Sequence, residues 1–180
     1  EVDNKEKTLI ISDNGIGMNE EDLKSSLGTI ARSGTKAFLE QISKSNKDKK
    51  TDMSMIGQFG VGFYASFMVA DDVEVTSKKA GDSQAWKWSS DGKTGFNLVK
   101  ADKDNFGTSI LLKLKKDAKE FLEETRLQFI VRKYSDHISY PVKLSQKDKK
   151  DSEIKTLNEA SALWTRPAKE IKDEQYQEFF

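Results

Sequence analysis

The stretch IGQFGVGFYASF, residues 56–67, places Gly57, Gly60 and Gly62 directly before a run of small and aromatic side chains. Since glycine has no Cβ and readily adopts positive φ, this cluster predicts backbone that bends sharply or lies close to another group. The run that follows, residues 61–70, predicts a buried helix that stops at the aspartates 71–72. The first amides of a helix have no partner within it, so they can bind an anion. The stretch therefore predicts either a phosphate site or close packing against a strand.

The segments around this stretch predict an α+β fold, with helices on one face of a mainly antiparallel sheet. Upstream, we expect a strand at residues 8–12, helices at 19–31 and 33–42, and a mobile lysine-rich loop at 43–54. Downstream, turn residues separate four β-branched or aromatic runs, which predict strands at 73–79, 84–90, 96–101 and 108–115. An amphipathic helix at 119–138 and a last strand at 139–145 follow.

Composition limits the classes of function. The chain of 180 residues is long enough for one sizeable domain and the start of another. Thirty basic and thirty acidic residues cancel, so no long-range field favours nucleic acid or an anionic membrane as a partner. The absence of cysteine excludes disulfides and thiolate metal sites and fits a reducing compartment. No apolar run is long enough to span a membrane, and no signal-peptide pattern is present. The chain starts without methionine and ends within a predicted helix, which suggests a fragment.

Spacing tests the known glycine motifs. A Walker A loop needs lysine after its last glycine, but an aromatic pair follows Gly62. The pattern G-x-G-x-x-A does begin at Gly60, although a polar segment precedes it where a dinucleotide site requires a buried strand. DNGIGMNEEDLK, residues 13–24, begins like a calcium loop but has Lys24 where the bidentate glutamate belongs. These tests exclude the first and third motifs and disfavour the second.

Two motifs remain, DNGIGM at residues 13–18 and GQFGVGF at 57–63. Together they resemble the ATP-binding superfamily that includes gyrase B, heat-shock protein 90, sensor histidine kinases and MutL. Four further stretches resemble the heat-shock protein 90 family and, within it, the bacterial form: LGTIARSGTKAFLE, IGQFGVGFYASFMVA, VRKYSDHI and ALWTRP. The resemblance implies a Bergerat-type two-layer sandwich on a mixed, mainly antiparallel sheet. It also implies an ATP-dependent molecular chaperone.

The resemblance assigns the adenine site to the first motif and to one later residue. Asp13 would accept the exocyclic amine of adenine, because a carboxylate only accepts hydrogen bonds. Gly17 would let backbone or water approach the ring, Met18 would pack on it, and Thr108 would support Asp13. Each also has a plainer interpretation: a turn with Asn14-Gly15 for Asp13, core packing for Met18, and an ordinary strand residue for Thr108.

The resemblance assigns phosphate binding to the second motif and two cofactors to the protein, ATP/ADP and Mg²⁺. The backbone N–H groups of the motif would surround the terminal phosphates at a helix start, and the intervening segment would form a lid. Ser26 stands where many relatives carry asparagine or another polar side chain, and Arg32 stands where relatives usually have lysine. Arg32 keeps a positive charge suited to phosphate, and its plainer interpretation is a solvated helix cation. The residues of the second motif are Gly57, Gln58, Phe59, Gly60, Val61, Gly62 and Phe63. The family's general-base glutamate and magnesium-binding asparagine lie on a helix expected before Glu1, so this chain contributes neither a catalytic residue nor a metal ligand.

The predicted domains follow from the same resemblance. Residues 1–144 would be a partial N-terminal ATP-binding domain without its first strand and helix, 145–157 a charged linker, and 158–180 the start of a middle domain. The partners would be unfolded or partly folded client proteins and a second copy, joined through a C-terminal domain, in the cytoplasm, with neither nucleic acid nor membrane. The alternatives are an ATPase domain of a histidine kinase, topoisomerase or MutL-like protein, and a nucleotide-binding module without hydrolysis.

Overall fold

A computed structural model describes residues 1–28, 57, 59–147 and 154–159. The predicted helix at 33–42 and the lysine-rich loop at 43–54 lie outside these residues, as do Arg32 and Gln58. The chain divides into one unit made of Glu1–Leu9 and Lys119–Phe180 and a second unit made of Ile10–Ala118.

The elements follow the chain in this order: β1 (Val2–Asp3), β2 (Thr8–Asp13), α1 (Glu20–Leu27), a 3₁₀ helix (Gly62–Ala65), α2 (Ser66–Val69), β3 (Ala70–Lys78), β4 (Ala85–Ser90), β5 (Asn97–Ala101), β6 (Gly107–Leu114), a second 3₁₀ helix (Lys119–Leu122), α3 (Glu124–Ser135), β7 (Lys143–Leu144) and β8 (Lys155–Thr156). The four strands predicted between residues 73 and 115 are confirmed to within three residues at each end, whereas the last strand, predicted at 139–145, is limited to Lys143–Leu144.

The sheet of the second unit has the strand order β2-β6-β3-β4-β5. β3 pairs antiparallel with β4 and β6, and β4 pairs antiparallel with β5. Val73 and Val75 of β3 are almost completely buried, as is Trp88 of β4, which lies opposite Val75. Burial of each valine contributes about 1.5–3 kcal/mol to folding. The predicted α+β class with a mainly antiparallel sheet is confirmed.

α1 begins at a complete capping box. The Asn19 side chain accepts a hydrogen bond from the Asp22 N–H group at 3.0 Å, and the Asp22 carboxylate accepts one from the Asn19 N–H group at 3.2 Å. Leu23 points into the core and is fully buried. Such a cap contributes about 1 kcal/mol and fixes where the chain turns from the DNGIGM loop into the helix.

The long buried helix predicted after the glycine stretch is wrong. α2 has four residues and no buried side chain, and Met68 is 77 % exposed. β3 instead begins at Ala70 and includes both aspartates that were expected to end the helix. Ala70 is buried opposite Leu114 of β6, and an irregularity in register between Ala70 and Asp72 accommodates Asp71. Pairing with β6 therefore overrides the local helical preference.

In the unit made of Glu1–Leu9 and Lys119–Phe180, α3 is shorter than predicted and ends at Ser135. β7 pairs antiparallel with β8, which lies within the segment predicted to be a charged linker. Next to β8, Asn158 is buried, and its side chain bonds the backbone at four places between residues 135 and 142. The predicted domain boundaries remain a prediction. Among the described residues, none of the helices is both long and apolar enough to cross a membrane.

Candidate functional site

Asp13 lies at the end of β2, where its carboxylate is held by two backbone N–H groups. Its Oδ1 accepts hydrogen bonds from Gly15 at 2.9 Å and from Thr108, at the start of β6, at 3.3 Å. The bond to Gly15 is the turn that the plainer interpretation of the motif predicted. The bond to Thr108 brings together two residues that the sequence assigned to one site. The Asp13 side chain is exposed, so it is oriented by protein and accessible to a ligand.

Two glycines let the backbone around Asp13 pack unusually closely. Gly17 has φ +69°, and a Cβ there would lie 2.0 Å from the Lys78 carbonyl oxygen at the end of β3. Gly107 has φ +113°, and a Cβ there would lie 2.3 Å from the Asp13 carbonyl oxygen. Close to Gly17, the Ile16 carbonyl accepts the Ala80 N–H group at 2.8 Å. Gly17 is thus required by the protein's own packing, whereas its predicted role towards adenine stays a prediction.

A buried hydroxyl joins the DNGIGM loop to the strands, and the sequence analysis missed it. Ser77 of β3 is fully buried, and its Oγ accepts the Met18 N–H group at 2.8 Å. The same oxygen lies 2.9 Å from Thr108 Oγ1 and 3.2 Å from the Gly107 carbonyl oxygen. The sequence did hold one indication of this role. Ser77 follows Val75 by two residues on the buried face of β3, where an apolar side chain is expected.

The GQFGVGF motif forms a turn that leads into the first 3₁₀ helix. Gly57 and Gly60 have φ of +88° and +65°, and the Gly60 N–H group donates to the Gly57 carbonyl at 3.4 Å. The first bond within the helix is donated by Tyr64 to Val61 at 3.2 Å, so the amides of residues 62 and 63 precede it. Among the described residues, no atom lies within 4 Å of a Cβ added at Gly62, so none of them fills the space beside this backbone.

Aromatic packing fixes the end of this motif on the sheet. The Phe63 ring contacts Trp88 edge-on with centroids 5.6 Å apart, and it also meets Phe67 at 6.1 Å. Trp88 stacks on Phe96 on its other side at 5.9 Å. Each such pair adds about 0.5–1.5 kcal/mol beyond simple burial. In contrast, Phe59 is 80 % exposed. The motif is therefore anchored at Phe63, whereas the side chains of Phe59 and Val61 are exposed.

The remaining predicted residues are only partly described. Ser26 lies half-buried in α1, one turn beyond Asp22. Val61 is half-exposed at the start of the 3₁₀ helix. The Tyr64 hydroxyl donates to the Leu27 carbonyl at 3.4 Å, which links the second motif to the end of α1, and burial raises the pKa of Tyr64. Across the described residues, no three histidine, cysteine or acidic side chains are grouped as a metal site.

Comparison with known proteins agrees with this geometry. Residues 1–120 match the family described as histidine kinase-, DNA gyrase B-, and HSP90-like ATPase. The chain belongs to this ATPase family. Both described motifs lie inside the matched residues, and membership implies that the domain binds a nucleotide.

The relatives narrow the family further. The chain is 53 % identical to chaperone protein HtpG of Roseobacter denitrificans over 179 residues, which is 99 % of the chain and 27 % of that protein. It is 52 % identical to HtpG of Rhodospirillum rubrum, over 99 % of the chain and 28 % of that protein. It is 48 % identical to HtpG of Borreliella burgdorferi, over the whole chain and 30 % of that protein. The resemblance to bacterial heat-shock protein 90 is confirmed, and the chain spans less than a third of these curated relatives.

Proposed function

We propose that this chain is the nucleotide-binding part of an ATP-dependent chaperone of the HtpG type. The observation that carries the proposal is the Asp13 carboxylate, fixed at Oδ1 by two N–H groups in a chain about half identical to HtpG proteins. Among the described residues no hydrogen bond reaches Asp13 Oδ2. A carboxylate held in this way is an oriented acceptor for the exocyclic amine of adenine, which is a donor.

The phosphates bind at the second motif in this proposal. The amides before the first helical bond, at residues 62 and 63, are neutral donors at a positively polarised helix start. The space beside Gly62, which none of the described residues fills, leaves room for a phosphate oxygen next to the backbone. Neutral donors explain how a chain with no net charge can hold a polyanion without the lysine of a P-loop. Mg²⁺ would enter with the phosphates.

Hydrolysis and chaperone activity belong to the longer protein. In this proposal the family's water-activating glutamate and magnesium-binding asparagine lie outside these 180 residues, and this chain contributes the nucleotide-binding residues. Binding would close the segment between the two motifs as a lid, although that segment lies outside the described residues. The full protein would act as a cytoplasmic homodimer on unfolded or partly folded clients. The relatives named above are chaperones, which favours this proposal over a histidine kinase, topoisomerase or MutL-like protein.

Calorimetric titration of ATP into the chain and its Asp13→Asn variant tests the adenine assignment. The asparagine presents an N–H donor to the amine and also loses charge, which costs about 1–3 kcal/mol, so we expect affinity to fall about 5- to 150-fold. Asp102→Asn is the matched control, because Asp102 is an exposed aspartate in the loop between β5 and β6. If a folded Asp13→Asn variant bound ATP with wild-type affinity, the assignment of Asp13 to the adenine site would be wrong.

A further inference from the structure

The three hydrogen-bond contacts of Ser77 can all form together in only one placement of protons. Its hydroxyl has one proton to donate and two lone pairs to accept with. The Met18 N–H group, 2.8 Å away, can only donate to it, and the Gly107 carbonyl oxygen, 3.2 Å away, can only accept from it. The contact of 2.9 Å to Thr108 Oγ1 is then a hydrogen bond only if Thr108 is the donor.

This placement determines what Thr108 can offer a ligand. Because its single proton points to Ser77, the Thr108 hydroxyl oxygen presents lone pairs alone on its remaining side. The backbone N–H group of Thr108 also bonds Asp13 Oδ1 at 3.3 Å, so this oxygen belongs to the residue that orients the carboxylate. The Asp13 carboxylate and the Thr108 hydroxyl are therefore both acceptors towards a ligand. Burial keeps water from rearranging the protons, since Ser77 is fully buried and Thr108 is 7 % exposed.

We propose that Ser77 is a positioning residue that sets the base specificity of the nucleotide site by holding the Thr108 hydroxyl proton away from the ligand. This inference rests on the proposed function. A ligand with an amino group at the purine 6-position supplies two N–H donors for the two acceptors. Inosine nucleotides carry a carbonyl oxygen there, which faces two acceptors and is rejected. The discrimination between the two bases thus depends on a residue that touches neither.

The test compares ATP with inosine triphosphate by calorimetry on the wild-type chain and Ser77→Ala. In the variant the Thr108 proton is free to turn towards a carbonyl oxygen, so we expect the ratio of ATP affinity to inosine triphosphate affinity to fall about tenfold. Ser77→Ala in a Thr108→Val background should leave that ratio unchanged, because Ser77 acts through the Thr108 hydroxyl. Ser109→Ala is the matched control: its Oγ also lies 2.9 Å from another hydroxyl, that of Ser12, but this pair is exposed.

The outcomes separate this inference from the proposed function. Equal losses of affinity for both nucleotides in Ser77→Ala would show a merely structural role and overturn the inference. A wild-type chain that binds neither nucleotide would instead contradict the proposed function. In that case, or if Ser77→Ala does not fold, NMR of the wild-type chain tests the proton placement directly. A slowly exchanging Thr108 hydroxyl proton with contacts to the Ser77 β-protons supports it, and a Thr108 hydroxyl in fast exchange with water refutes it.

Discussion

Gly17→Ala should destabilise the chain far more than the addition of one methyl group suggests. The added methyl group would lie 2.0 Å from the Lys78 carbonyl oxygen and 3.1 Å from the Gly107 nitrogen, both of which are backbone atoms in paired strands. The strands cannot yield easily, so the DNGIGM loop must withdraw by more than about 1 Å to reach an ordinary van der Waals distance.

Three costs add to give the magnitude. Alanine at φ +69° is strained by about 1–2 kcal/mol. Withdrawal of the loop also breaks the bond of 2.8 Å between the Ile16 carbonyl and Ala80 and that of 2.8 Å between the Met18 N–H group and Ser77. Each broken bond leaves a polar group unsatisfied at a cost of about 1–3 kcal/mol. We expect a total loss of about 3–8 kcal/mol, which approaches the whole stability of a typical domain.

Urea unfolding followed by circular dichroism measures this loss, with Gly81→Ala as the matched control. Gly81 also has positive φ, at +90°, but an added Cβ there would meet no atom within 4 Å. The control should therefore show only the strain of about 1–2 kcal/mol. Equal losses of unfolding free energy in the two variants would refute the argument, because the close contact would then contribute nothing beyond backbone strain.

Three further predictions concern pH, surface charge and turnover. The Glu6 N–H group, followed by Lys147, lowers the pKa of Asp3 below 3.8. The stability that the Asp3 carboxylate contributes is therefore present above pH 3.8 and lost as the pH falls through the lower pKa of the folded state. The difference in urea midpoint between wild type and Asp3→Asn should shrink over that range, and a constant difference would contradict this prediction. Glu74→Gln removes a partly exposed ion pair with Lys113 at 3.1 Å and should lower the free energy of unfolding by less than about 1 kcal/mol. This loss should be smaller still in 1 M salt, and a larger loss that does not depend on salt would argue against a surface ion pair. If the general base lies outside these residues, as proposed, the chain alone should release phosphate from ATP at least about a hundredfold more slowly than a full-length relative. Equal rates would place a base within these residues.

Local patterns were sufficient to predict the strands from β3 to β6, whereas the site residues were predicted from the family resemblance. The strands from β3 to β6 are runs of β-branched and aromatic residues separated by glycine and aspartate turns, and each run carries its own signal. The N-terminus of α1 also carries a local signal, since its cap and its acidic first turn are adjacent in the chain. Asp13 and the glycines of both motifs were assigned to a site because the two motifs together resemble the ATP-binding superfamily, and their roles towards a nucleotide stay predictions.

Features that depend on distant partners could not be predicted in this way. Ser77 bonds Met18 and Thr108, which are 59 and 31 residues away, and nothing near Ser77 in the sequence indicates either contact. α2 is short because β3 gains more from pairing with β6 than a longer helix would gain, and that comparison needs the sheet. β8 has only two residues, Lys155 and Thr156, so it carries no periodicity to detect.

The position of Asn158 limits how short a stable version of this region can be made. Its side chain accepts the Val142 N–H group at 2.7 Å and donates to the carbonyls of Ser135, Ile138 and Tyr140 at 3.0–3.4 Å. A shortened protein ending at Leu144 would keep these backbone groups and lose the one side chain that satisfies them. The C-terminal boundary of a shortened protein should therefore fall after residue 159, so that Asn158 and Glu159 keep their hydrogen bonds to Ser135 and Asp136 at the end of α3.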